Sequence, residues 1–171
     1  VGDCGGRITE RLLHELERRG ETLAVAESLT GGELVAELTR PSGASAVVLG
    51  AAIVYATELK HSLLGVDSVL LEREGPVHPE VARQLADGVR VRLAVGGRPA
   101  DFGVATTGVA GPSSQGGRAP GTVFLGISGA ARSRVVELSL EGNRAEIRQA
   151  VVEAAVRELA DEVRWASDVR E

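Results

Sequence analysis

A chain of 171 residues, 43% of them apolar, fits one domain, and its net charge of −5 excludes a general nucleic-acid binder, which needs a basic face. The apolar set is nearly all Ala, Val and Leu, with one Trp, one Tyr and no Met, so the core must be built from small aliphatic side chains on a regular scaffold. The lone Cys4 excludes an intrachain disulfide, and neither a membrane span of roughly 20 apolar residues nor a signal-peptide pattern is present, so a cytoplasmic protein without membrane contact is expected.

The Gly-rich residues 1–6 read as a disordered tail, and residues 7–171 as one domain. Ile8, Leu12, Leu13 and Leu16 form a helical stripe that stops near Gly20. The apolar run 22–26 predicts a strand, and a helix follows over 30–39, stopped by Pro41. Between them lie Glu27, Ser28 and Thr30, then Gly31 and Gly32, at which a ligand or backbone can approach closely. Ser28 and Thr30 read equally well as helix caps. Residues 46–55, rich in Val and Ile, predict a strand buried on both faces, with Gly50 inside it. Thr57 is placed to cap a short helix over 58–64. A helical segment over 68–74 follows, then a turn, then a helix from Pro79 to about Leu93 with His78 before it as a cap. Residues 101–107 predict a strand running into a second Gly-rich polar end, with Gly108 and Gly111. Strands over 122–128 and 135–140 form a hairpin, and 145–163 is a final amphipathic helix. The alternation implies helices on both faces of a mixed sheet.

Eighteen of the nineteen basic residues are Arg, and Lys60 is the only lysine. The two differ most where the group must lose its proton, since guanidinium stays charged and a buried ammonium does not. No Gly-x-x-x-x-Gly-Lys-Ser/Thr run, no Gly-x-Gly-x-x-Gly after a strand and no Gly-x-Ser-x-Gly elbow occurs. Three separated histidines and one cysteine do not make a zinc site, so neither metal nor cofactor is expected; His61 is the histidine beside Lys60. What remains is Ser28, Tyr55, Lys60, Thr106 and Thr107 at strand ends. A serine hydroxyl needs a base, and a neutral lysine serves as one in Ser–Lys variants of the catalytic triad. Backbone N–H groups at Gly31 and Gly32 are candidates for holding an oxyanion. These parts suit hydrolysis of an amide or ester through an acyl-enzyme.

The order Ala26-Glu27-Ser28-x-Thr30-Gly31-Gly32, then Tyr55-x-x-x-x-Lys60, then Thr107-Gly108-Val109-Ala110-Gly111-Pro112 and Gly121-Thr122-Val123 resembles the CinA carboxy-terminal domain family. The resemblance implies a three-layer α/β/α sandwich with a mixed, mostly parallel five-stranded sheet. It implies hydrolysis of nicotinamide mononucleotide to nicotinate mononucleotide and ammonia, without a metal. The family's serine, lysine and tyrosine fall on Ser28, Lys60 and Tyr55. The substrate-binding positions implied are Thr30, Gly31, Gly32 and Ser45 on one side, and Thr106, Thr107, Gly108 and Gly111 on the other. Arg144 is the implied phosphate partner, its guanidinium fork matching phosphate oxygens. The pyrophosphatase-like activity of full-length CinA is not expected. The chain departs from the family pattern at Leu29, Ala44, 56–59, Asn143 and 113–119. A nucleotide-binding module without turnover and an amidase on another small substrate are the competing readings. The small-aliphatic helices also predict self-association.

Overall fold

The computed structural model describes residues 4–168, in which five strands lie between two layers of helices. In chain order these are α1 (Cys4–Arg19), β1 (Leu23–Glu27), α2 (Glu33–Thr39), a 3-10 turn (Ala44–Ala46) and β2 (Val48–Ile53). There follow α3 (Thr57–Leu64), α4 (Ser68–Glu74), α5 (Pro79–Arg92), β3 (Phe102–Gly108), β4 (Thr122–Ser128), β5 (Ser133–Ser139) and α6 (Arg144–Asp168). The strands are ordered β2-β1-β3-β4-β5. β1 pairs in parallel with β2 and β3, while β3–β4 and β4–β5 are antiparallel, so β4 alone runs against the other four. This is the mixed α/β/α sandwich the sequence predicts.

Alternation along β1 divides the core. Leu23 and Val25 pack with α1, α2 and α6, through Leu16, Leu34, Leu38, Ile147 and Val151 among others. Ala24 and Ala26 point to the other face, toward Leu64, Leu70, Val81, Leu85 and Val89 of α3, α4 and α5. Fully burying one such leucine contributes about 2 kcal/mol. On the second face α5 comes unusually close. A Cβ at Gly103 would collide with the Ala86 carbonyl, and one at Gly126 with the Ala82 carbonyl. Gly103 and Gly126, facing Ala86 and Ala82 of α5, thus serve a close helix–sheet contact.

Four expectations change. The helix opens at Cys4, so only residues 1–3 of the predicted tail lie outside the described residues. β2 is an edge strand and half-exposed, because its outer side has no partner strand. The second helix starts at Glu33, after a turn over 28–32. Thr57 is already helical, and Ala56, which precedes it, makes no side-chain cap. His78 does cap α5, its Nδ1 accepting from Glu80 N–H at 3.2 Å. Among the described residues no helix is long and apolar enough to cross a membrane.

Candidate active site

Parallel pairing of β1 with β2 and β3 brings their carboxyl ends to one edge of the sheet. Glu27 of β1 lies beside Ile53 of β2 and Thr106 of β3. The residues just beyond are Ser28 on one strand and Val54 and Tyr55 on the next. From there the chain turns into α3, whose first turn carries Lys60 back toward the sheet. Its Nζ lies 3.1 Å from Ser28 Oγ. The same nitrogen donates to Val54 O at 2.7 Å and approaches Tyr55 O at 3.5 Å. Lys60 is only 1% exposed, and burial pushes its amine down from 10.5 to about 8, against a smaller opposing pull from Glu58. An ammonium there has lost most of its water, whereas a neutral amine keeps two N–H donors for the two carbonyls and one lone pair for the serine.

Ser28 is not spent on the helix. The carboxylate of the fully buried Glu27 takes up the amino end of α2, accepting from Gly32, Leu34 and Val35 N–H at 2.9, 3.1 and 2.8 Å. That arrangement overturns two expectations. Neither Ser28 nor Thr30 caps the helix. Gly31 and Gly32 do not offer free N–H groups for an oxyanion, since Gly31 N–H donates to Ser28 O at 3.2 Å and Gly32 N–H to Glu27. Thr30 and Thr106, both fully buried, share a hydrogen bond at 2.9 Å, and Ser28 N–H donates to Thr106 O at 3.1 Å. These threonines support the turn from below rather than line the cleft.

The cleft above the pair has a volume of about 150 Å3. Its walls are Ser28, Leu29, Tyr55, Lys60, Thr107, Gly108 and Gly111, closed by Pro76, Val77 and Arg144, with Ser113 and Gln115 at the mouth. Thr107 Oγ1 donates to Pro76 O at 2.7 Å, fixing the loop before α5 against β3. Arg144, at the start of α6, donates to Gly111 O at 2.9 Å and to the Tyr55 hydroxyl at 3.0 Å. The exposed Tyr55 ring therefore meets the mouth of the cleft, and its contact with Lys60 is through its carbonyl. His61 turns away, with Nδ1 2.8 Å from Val66 O. Ser45 is not brought here. It sits on the exposed 3-10 turn before β2, at the amino end of a parallel strand, whereas the cleft lies beyond the carboxyl ends. Two larger grooves of about 430 and 590 Å3 run along α1 and α6, but Ser28 and Lys60 line neither.

Sequence reasoning missed Arg148. It reaches from α6 to the turn after Ser28, with Nε donating to Leu29 O at 3.0 Å and Nη2 to Thr30 O at 2.8 Å. Nothing in its local sequence separates it from the other arginines of an Arg-rich amphipathic helix.

Fold and site together define a three-layer α/β/α domain with a buried serine–lysine pair at the carboxyl edge of its sheet. The chain belongs to the CinA C-terminal domain family, whose model matches residues 6–163. It is 45% identical over 141 residues to a CinA-like protein of Frankia casuarinae, covering 82% of this chain and 31% of that protein. It is 43% identical over 168 residues to a CinA-like protein of Gloeobacter violaceus, covering 94% and 38%. The chain thus spans about a third of the length of these curated relatives. Among solved structures it is similar to the competence/damage inducible protein CihA of Agrobacterium tumefaciens, with 31% identity, a TM-score of 0.85 and coverage of 93% and 94%. A competence or damage-inducible protein of Enterobacter asburiae superposes with a TM-score of 0.88 at 26% identity, over 95% and 99% of the two chains.

Proposed function

We propose that this chain is a Ser–Lys amidohydrolase acting on the carboxamide of nicotinamide mononucleotide, releasing ammonia and nicotinate mononucleotide in pyridine nucleotide recycling. The observation that carries the reading is the 3.1 Å approach of a buried amine, its proton affinity lowered by burial, to a serine oxygen that no other role occupies. Neutral Lys60 takes the Ser28 hydroxyl proton as Oγ bonds to the carboxamide carbon. The oxyanion that forms meets the Leu29 N–H, which has no acceptor among the described residues and belongs to the residue next to the nucleophile. Collapse breaks the C–N bond, and Lys60 returns its proton to the departing nitrogen, giving ammonia and an ester on Ser28. Water then attacks the ester, leaves a proton on Lys60 and frees the carboxylic acid, and the proton passes back to Ser28.

A cleft of about 150 Å3 is smaller than the roughly 300–1,000 Å3 of pockets that enclose a drug-sized ligand. It therefore takes the reacting carboxamide end, while the ribose phosphate lies over the mouth. There Arg144, held between Gly111 O and the Tyr55 hydroxyl, supplies a guanidinium for the phosphate. The test is ammonia release from nicotinamide mononucleotide by the wild type, Ser28→Ala and Lys60→Arg. Loss in both variants is expected, and equal rates in all three remove the dyad. Tight nucleotide binding without product would turn the reading to a binding module, and product from simple amides alone would turn it to another substrate.

A further inference from the structure

We propose that Arg148 is a positioning residue, which acts on catalysis by fixing the two peptide planes on either side of Thr30 and, through the Gly31 N–H of the second, the Ser28–Leu29 plane that carries the Leu29 N–H; this rests on the Ser–Lys reading above. The turn over 28–32 belongs to neither helix nor strand. Its chemistry depends on where one N–H, that of Leu29, points. In a trans peptide the N–H and C=O point in opposite directions, so anchoring one fixes the other. The Ser28–Leu29 peptide is anchored at Ser28 O, which accepts from Gly31 N–H at 3.2 Å. The Leu29–Thr30 peptide is anchored by Arg148 Nε at Leu29 O, 3.0 Å away. The next carbonyl, Thr30 O, accepts from Arg148 Nη2 at 2.8 Å as well as from Glu33 N–H at 3.2 Å. One edge of one guanidinium thus spans two successive carbonyls, which a single ammonium does not do.

Arg148 does not line the cleft, so it touches no reacting atom. The nitrogen that meets Thr30 O, Nη2, is also held by the Glu33 carboxylate at 2.8 Å. Gly31 leaves it room: this residue has φ of +59°, and a Cβ there would stand 3.4 Å from Nη2. Arg144, four residues earlier and so one turn away on the same helix, holds the opposite wall at Gly111. The first two turns of α6 therefore grip both walls, and Arg148 is the grip on the nucleophile's side.

The experiment measures kcat, KM and the pH profile of ammonia release from nicotinamide mononucleotide, with the burst of nitrophenol from p-nitrophenyl acetate as a second probe of Ser28. In Arg148→Gln, kcat is expected to fall about 30-fold with KM held within about threefold, because a misdirected N–H weakens the transition state and not ground-state binding. The pH midpoint is expected to stay where the wild type has it, since Lys60 keeps its surroundings. Arg148→Lys, which reaches one carbonyl and protects the fold if Arg148→Gln is unstable, is expected to recover part of the rate. A wild-type kcat in Arg148→Gln, a loss confined to KM, or a loss matched by the unfolded fraction in thermal melts overturns the proposal alone. A wild type with neither ammonia release nor a Ser28-dependent burst fails the amidohydrolase reading itself, and the positioning role falls with it.

Discussion

Ser28 and Lys60 on the floor of the cleft, and Tyr55 and Arg144 at its mouth, are four residues of one site built by two different rules. The floor is dry and held from several directions. Lys60 Nζ meets a serine and a carbonyl within 3.1 Å, and the turn carrying Ser28 is tied to β3, to Glu27 and to α6. The mouth is wet. Tyr55 is 60% exposed, Arg144 is exposed, and their link is a single hydrogen bond at 3.0 Å. A buried polar group is costly unless its partners are in place, so the floor tolerates little change, whereas exchange with water at the rim is cheap. The departures from the family pattern in 113–119 fall at the rim, with Ser113 and Gln115 at its edge.

Breaking the floor gives the largest effect. Ser28→Ala and Lys60→Arg are each expected to lower kcat/KM by at least about 10³-fold. The arginine is the sharper change, because it keeps the charge and cannot act as a base. Next comes pH. Only the neutral amine accepts the serine proton, so kcat/KM is expected to rise with pH to a midpoint near 8 and to stand about 100-fold lower at pH 6. The same depression sets a stability slope. Between about pH 8 and 10.5 the unfolded chain holds a proton on Lys60 that the folded chain has lost, so stability rises across that window. Lys60→Met is expected to flatten the rise in thermal melts. Glu27→Gln sets an amide N–H against backbone donors and is expected to cost about 2 kcal/mol, lowering the melting temperature by about 4–8 °C. The rim yields least: Arg144→Ala is expected to raise KM for the nucleotide about tenfold with kcat nearly unchanged. Loss of kcat in Arg144→Ala as large as in Lys60→Arg would erase the distinction between floor and mouth.

The fold was legible because its signals are local. Apolar runs of strand length alternate with stripes of helical spacing, and Pro79 and His78 mark a helix start that is found where the sequence places it. The pair Ser28 and Lys60 was legible for a compositional reason, one amine kept in an arginine background. Errors came where a residue's partner is distant or its role is shared with a neighbour. Glu27 reads as one more polar residue at a strand end, and only three dimensions show that its carboxylate claims the Gly32 N–H, while the Ser28 carbonyl claims that of Gly31, the two groups assigned to an oxyanion. Ser45 lies in a loop next to an important strand, but sequence order does not say which end of that strand holds the site. β2 carries the Val- and Ile-rich pattern of a central strand, and its edge position depends on what the topology leaves unpaired. Arg148 acts on residues 118 and 119 positions away, which no local pattern encodes.

The exterior of this molecule offers no side-chain amine to an acylating reagent, because the chain's single one is Lys60 and it is sequestered. A succinimidyl ester or a reductive methylation mixture thus finds, besides the α-amine of the chain, one side-chain target, reached through the cleft. Incorporation at Lys60, counted in the peptide that carries it, becomes a titrant for vacant cavities. A bound nucleotide should leave its footprint as slower labelling, whether or not turnover follows.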